Sequence, residues 1–260
     1  MDKKKIAVSA FIFLFVAAVF SCCSNKHDLP LIPEAAFNVN GSAETEIKNG
    51  DPLIAEFSVF LPYVSGNQKV KPVTLKFKQP WSEEVHFTIK HEENGGFQKW
   101  KWKLSPVAKT VSQIKLEKKT AAILIWTLAA EESRKIQPGT YWIQAELIID
   151  KKTKVLSNPV KLIVKTSQEP VQLDEISEAV NQARFFLYQG EKEKALALID
   201  TAIEKNDKHT VLYEYQGDLL VILERKKEAM ASYMKAIDLN ENVHDHSATE
   251  KYQKLWEEMK

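Results

Sequence analysis

The residues able to do chemistry are few and poorly placed for it. Cys22 and Cys23 are adjacent, and everything after them is cysteine-free. No disulfide and no Cys-ligated zinc site is therefore available to the folded part. The histidines are His27, His86, His91, His209, His244 and His246. His244-Asp245-His246 offers two imidazoles about a carboxylate, but no third ligand is in view, so a solvated turn is the favoured reading and no metal is expected. His86 and His91 lie beside Glu92 and Glu93 near a hairpin, with His86 on the polar face of a strand. The carboxylate pairs Glu83-Glu84, Glu92-Glu93 and Glu131-Glu132 occupy turns. Glycoside hydrolysis needs two carboxylates opposed across a cleft, and nothing in the spacing supplies that. No G-x-S-x-G, H-E-x-x-H, P-loop or G-x-G-x-x-G occurs, so neither an enzyme nor a cofactor is expected. Lys99-Trp100-Lys101-Trp102-Lys103 could grip a glycan or polyanion. The favoured reading puts both Trp in a core and the lysines in solvent. With 36 basic against 35 acidic residues the net charge is +1, so no global field draws nucleic acid.

The cysteines gain meaning from what precedes them. Lys3, Lys4 and Lys5 precede an apolar run from Ile6 to Phe20 broken only by Ser9. The run is shorter than the roughly 20 residues that span a bilayer. It ends in Val19-Phe20-Ser21-Cys22, which resembles the lipobox of bacterial lipoproteins, with Phe20 bulkier than that motif usually carries. The resemblance implies a signal peptide over 1–21 and a diacylglyceryl thioether on Cys22, with a further acyl chain on its amino group. Two or three chains hold a protein on a membrane where one does not. Lipidation at Cys23, an uncleaved anchor helix and a secretory signal cut near Ser21 are the alternatives. Cys23, Ser24 and Asn25 follow with no acidic residue beside Cys22. By resemblance to the enteric sorting rule this favours the outer membrane, facing the periplasm or the cell surface.

These anchoring residues must be joined to a body. Residues 22–49 read as a polar tether with Pro30 and Pro33, in which Leu31, Ile32 and Phe37 could form a first short strand. Over 50–166 the periodicity is two. Ala55 to Leu61, Val73 to Phe77, Val85 to Ile89 and Trp100 to Leu104 alternate, Glu93-Asn94-Gly95-Gly96 makes a hairpin turn, and Ile123 to Leu128 is continuously apolar. Thr140 to Ile149 and Val155 to Lys165 follow, joined at Asp150-Lys151-Lys152-Thr153. About seven or eight strands at this spacing predict an immunoglobulin-like β-sandwich. Pro138-Gly139-Thr140-Tyr141 with Ser157-Asn158-Pro159-Val160 resembles the last two strands of bacterial Ig-like domains. The resemblance implies a buried Tyr141 whose hydroxyl bonds backbone.

After a linker at 167–173 the pattern turns helical over 174–260. Ala183 and Gly217, Ala195 and Ala229, and Ala202 and Ala236 are each 34 residues apart, the length of a tetratricopeptide repeat. Tyr213 and Tyr233 stand at that family's aromatic sites. Ala183 replaces its Gly and Ile199 its second aromatic in the first repeat, and its closing Pro is absent from both. Glu250 to Lys260 predicts a final helix bearing Tyr252, Leu255, Trp256 and Met259, covering the last apolar face. The fold class expected is thus a β-sandwich followed by an α-helical repeat array with a capping helix. Two repeats are fewer than usually stand alone, so support must come from the sandwich, a partner, or a second copy of the chain. By resemblance, the first helix of each repeat lines a groove through Val180, Asn181, Arg184, Leu187 and Tyr188, then Val211, Glu214, Tyr215, Asp218 and Ile222. The alternative is that this face packs on the sandwich or the last helix. The Lys/Asn pattern that clamps a terminal carboxylate is missing, since Val180 and Arg184 stand at two of its positions. The expected function is protein–protein contact by a membrane-anchored envelope lipoprotein, as adaptor or assembly factor. A glycan-binding surface lipoprotein using the sandwich is the alternative.

Overall fold

The computed structural model describes residues 32–63, 70–93, 96–107, 111–150, 152–166, 168, 175–240 and 246–259. Cys22, the expected signal peptide over 1–21, nearly all of the expected linker over 167–173 and His244-Asp245 lie outside them. Among the described residues no helix is long and apolar enough to cross a membrane.

The sheet region begins earlier than the tether reading allows. β1 (Glu34–Val39) and β2 (Glu44–Lys48) both fall inside 22–49. Phe37, Val39 and Ile47 alternate with polar residues and are buried. Asn40 and Gly41 turn the chain between them at φ 52° and 79°, the left-handed pair that Asn-Gly adopts readily. β1 pairs antiparallel with β3 (Leu53–Phe60), and β3 with β9 (Ala121–Leu128). β2 crosses to a second sheet and runs parallel to β12 (Val160–Lys165). The first sheet has the order β1-β3-β9-β7, with β7 at Ser105–Pro106. The second has the order β2-β12-β10-β5-β6, from β10 (Gly139–Ile148), β5 (Val85–His91) and β6 (Gln98–Lys99), with β11 (Lys154–Leu156) also on β10. A ribbon of β4 (Val73–Lys76) and β8 (Gln113–Leu116) packs Leu75, Ile114 and Leu116 onto the same core.

That core is built by alternation. On β3 the residues Leu53, Ala55, Phe57 and Val59 point inward, and Tyr141, Ile143, Ala145 and Leu147 of β10 meet them from the other sheet. Each fully buried Leu, Ile or Phe is worth about 1.5–3 kcal/mol. Tyr141 is buried, and its hydroxyl donates to the Gln137 carbonyl at 2.7 Å.

Two expected strands behave differently. Trp100 to Leu104 keeps its alternation, but only Gln98–Lys99 is paired as a strand. The chain then crosses from the second sheet to the first, laying Trp100, Trp102 and Leu104 on the core while Lys99, Lys101 and Lys103 stay exposed. Val155 to Lys165 is split at Ser157-Asn158-Pro159. Pro159 has no N–H to give a ladder, and the register on β10 slips by one residue there, from Glu146↔Leu156 to Ile143↔Val160, as at a bulge. Asn158 uses the break: its side chain accepts from the Phe37 N–H (3.0 Å) and donates to the Phe37 carbonyl (3.2 Å).

The helical region follows in two hairpins and a last helix. α1 is a single turn (Ala130–Ser133) within the sheet region. α2 (Glu175–Tyr188) and α3 (Lys192–Lys205) form the first hairpin, α4 (Thr210–Ile222) and α5 (Lys226–Leu239) the second, and α6 (Ser247–Glu258) closes the array. Ala183, Ala195, Ala202, Ala229 and Ala236 are buried in one helical core with Ile199, Leu212, Leu219 and Tyr233. Gly217 is buried too, because a Cβ there would overlap the Tyr233 ring.

Candidate functional site

The groove positions divide into two polar clusters, both engaged within the chain. On α2, Arg184 is half-buried and forms an ion pair with Glu56 of β3. Glu56 projects from the outer face of the first sheet, beside Ile54, which is 1% exposed although it points away from the sandwich core. Gln189, at the end of α2, donates to the Thr127 hydroxyl of β9 at 2.8 Å. The first helical hairpin therefore sits on that sheet face. Asn181 lines a small cavity of about 20 Å³ at the same junction with Asn40, Glu46, Ile47, Asp51, Pro52 and Gln182. Burial would depress the Arg184 pKa, but the Glu56 charge and a hydrogen bond to Tyr188 outweigh it and hold the guanidinium above its usual range. Leu187 packs against the helical core. Tyr215 packs there as well, its hydroxyl buried with no hydrogen-bond partner; burial drives its pKa up, against the pull of the nearby Arg184 charge.

The second cluster joins α4 to the last helix. Lys251 of α6 donates to Glu214 and to Asp218, both at 2.7 Å. Ser247 donates to the same Glu214 oxygen at 2.5 Å, and Tyr233 donates to Asp218 at 2.8 Å. Burial lowers the Lys251 pKa, but the two carboxylates more than restore it, so the ammonium is held above its ordinary value. Desolvation, then the Asp218 bond and charge, push the Tyr233 phenol up. Glu214 and Asp218 are one helical turn apart on α4, as are Ser247 and Lys251 on α6. Of the expected groove, Val211 and Ile222 keep the most open surface, at 49% and 39% exposed. The sheet and the last helix pair Arg184, Glu214 and Asp218 within the chain, because a half-buried charge left unpaired is costly. Glu56, Thr127 and Lys251 were not singled out from sequence.

On the opposite side of the array, α3, α4 and α5 enclose an open cleft of about 470 Å³. Leu196, Ile203 and Leu220 give it apolar walls. A hydrogen-bonded chain crosses it, from Ser232 to Gln216 (2.7 Å) and from Gln216 to Asp200 (2.6 Å). Arg225 grips Glu228 with two bonds at 2.8 and 2.6 Å on its rim. This surface can take a peptide-like group through apolar contact and side-chain hydrogen bonds. It holds no nucleophile with an adjacent base.

The remaining candidates fall in place individually. His86 and His209 are exposed, and His91 lies edge-on to Tyr141 with ring centroids 4.9 Å apart. Among the described residues no three His, Cys, Asp or Glu side chains are grouped to hold a metal. Trp100 and Trp102 meet edge to face at 4.8 Å against the core.

No protein-family model and no curated protein matches the chain. Solved structures share general likeness only. A family 123 glycoside hydrolase from Clostridium perfringens aligns at 12% identity over 53% of this chain and 28% of its own length, with TM-score 0.32. The fimbrial subunit AggA from Escherichia coli aligns at 13% over 54% and 99%, with TM-score 0.29. A CARDB domain from Pyrococcus furiosus aligns at 14% over 52% and 96%, with TM-score 0.25. The chain thus spans about a quarter of the clostridial enzyme.

Proposed function

We propose that the protein is a lipid-anchored envelope adaptor, an Ig-like sandwich bearing two tetratricopeptide-type hairpins that hold a partner protein. The observation that supports this reading best is the pairing of small and large residues at a 34-residue offset. Gly217 lies beneath Tyr233, while Ala183 and Ile199 occupy the same two positions in the first hairpin. Such arrays are stacking units that bind along their surfaces, and fold-level analogy carries the functional step. Because the groove side is taken up by the sheet and α6, the partner engages the α3–α5 cleft. The tyrosine-corner bond of Tyr141 supports the Ig-like reading of the sandwich.

The test is an in-cell crosslinking pull-down with the full-length protein and its Ala231→Arg variant. Ala231 is exposed and lines the cleft, so a long cation there fills it without entering the core. A protein recovered with the parent and lost with the variant supports the adaptor reading. An unchanged partner list removes the cleft from it, and recovery of envelope glycan alone overturns it. Acyl labelling tests the anchor: Cys22→Ser abolishes the label, whereas retained label points to Cys23.

A further inference from the structure

We propose that the α3–α5 cleft receives the stripe Phe97, Lys99 and Lys101 of a second copy of this chain. The inference rests on the adaptor reading, in which that cleft holds a partner, and it names the partner.

The stripe runs along the last strand in the order of the second sheet. Gln98 and Lys99 pair with Ile89 and Thr88 of β5, and the Trp100 N–H donates to the Phe87 carbonyl at 3.0 Å. Alternation along the extended chain lays Trp100 on the core and puts Phe97, Lys99 and Lys101 on the other side, all exposed. Phe97 keeps 45% of its surface open, unusual company for two lysines. Neither lysine forms an ion pair with a described residue. The ladder bonds and the packed Trp100 fix this backbone before any partner arrives, which lowers the entropic cost of binding.

The cleft offers the complement in the same order. Leu196, Asp200 and Glu204 line it at four-residue steps along α3. Four residues of helix advance about 6 Å, and two residues of strand about 6.7 Å. Phe97, Lys99 and Lys101 can therefore lie opposite Leu196, Asp200 and Glu204, with Ile203 and Leu220 beside the ring. The two carboxylates lack a cation. Arg225 grips Glu228 and lies 3.9 Å from Glu193, so its single charge is already shared. Asp200 accepts from the neutral Gln216 amide, and neither it nor Glu204 forms an ion pair with a described residue. Glu204 also stands in the last turn of α3, where the helix dipole adds negative potential.

Both halves of the contact are thus carried by one chain, and its charge is divided the same way. Residues 32–166 carry 20 basic and 14 acidic side chains, and 175–260 carry 12 and 17. The near-neutral total hides a basic sheet region and an acidic helical array, so the sheet region of one copy and the array of another attract. Stripe and cleft are different patches, and copies either reciprocate as a two-fold pair or add head to tail. A second copy along α3–α5 also supplies the neighbour that an array of only two hairpins usually requires.

The test mixes full-length protein grown on light and on heavy nitrogen and couples touching lysines and carboxylates with a zero-length carbodiimide. The expected product joins Lys99 or Lys101 of one isotope to Asp200 or Glu204 of the other, and its yield falls as salt rises. In sedimentation of a dilution series, Lys101→Glu alone and Glu204→Lys alone should each weaken association by at least about two- to fivefold. The two together in one chain should restore it. Both positions are exposed, so neither change disturbs the core. Crosslinks that never mix isotopes, mixed crosslinks at other residues, or a double variant no better than the single ones overturn the proposal. Ala231→Arg separates this failure from that of the adaptor reading. Self-association lost in that variant supports both. A chain that stays single while another protein is still lost with Ala231→Arg overturns the second copy and leaves the adaptor standing.

Discussion

Gly217→Ala is the sharpest perturbation of the helical array. A Cβ at position 217 would lie 2.6 Å from Cδ1 and 2.9 Å from Cζ of Tyr233, with Cε1 closer still. The ring cannot retreat freely: it is 3% exposed, and its hydroxyl is bonded to Asp218. Overpacking of this kind costs about 1–3 kcal/mol. Glycine to alanine inside a helix gains about 1 kcal/mol of propensity. The balance is a net loss of up to about 2 kcal/mol from these two terms. The first hairpin carries its own solution, with Ala183 and Ile199 at the equivalent positions. Adding Tyr233→Ile to Gly217→Ala reproduces that pair and should relieve the overpacking, leaving the cost of the missing Asp218 bond at about 1 kcal/mol. Urea unfolding followed at the helical circular dichroism band measures both variants, and the cycle isolates the coupling. A stabilised Gly217→Ala protein, or additive effects in the double variant, would refute the close approach of ring and helix.

Other consequences are open to measurement. Lys251, Tyr215 and Tyr233 all have pKa values raised by the fold. A raised group adds stability below its unfolded value and loses it as pH climbs through the folded one. The denaturation midpoint should therefore stay level through neutral pH and fall from about pH 10 upward; a midpoint unchanged at pH 11 would contradict the α4–α6 network. Glu56→Ala leaves Arg184 half-buried and unpaired at a cost of about 1–3 kcal/mol. Faster hydrogen exchange in α2 with β10 unaffected is the expected signature, and unchanged α2 protection would count against the sheet–helix docking. Tyr141→Phe removes the bond to the Gln137 carbonyl and should lower stability by about 1 kcal/mol in a urea titration.

Local periodicity carried most of the fold. The two-residue alternation of β3 and β10 and the 34-residue recurrence of small residues on α2–α5 are signals within one element or between copies of it, and such signals are readable in sequence. The start of the sheet region was less legible, because Asn38, Asn40 and Ser42 dilute β1 and β2 into a polar stretch, although Asn40-Gly41 is a turn signal. β8 hides similarly behind Lys115, Glu117 and Lys118. Within the candidate site, the positions on α2 and α4 are paired as a repeat would pair them, but their partners are not local. Arg184 meets Glu56 across 128 residues, and Glu214 meets Lys251 across 37. An ion pair between distant elements leaves no spacing to detect. The i and i+4 placement of Glu214 with Asp218, and of Ser247 with Lys251, was the one available hint.

The antiparallel pairing of β1 with β3, Glu34 opposite Phe60 and Val39 opposite Ala55, has a mechanical consequence. On the proposed reading, in which Cys22 is anchored and a partner holds the helices, a pull would run along β1, between Glu34 and the α2 contact at Glu56. The ladder from Glu34↔Phe60 to Val39↔Ala55 joins six residue pairs, and its hydrogen bonds lie across the strands. A pull along the strand loads them together instead of unzipping them in turn, and Asn158 adds two further bonds at Phe37. Resistance to forced extension is governed by the unfolding rate, not by equilibrium stability. The break at Ser157–Pro159, which costs β11 and β12 their continuity, thus ties down the first strand of the sheet region.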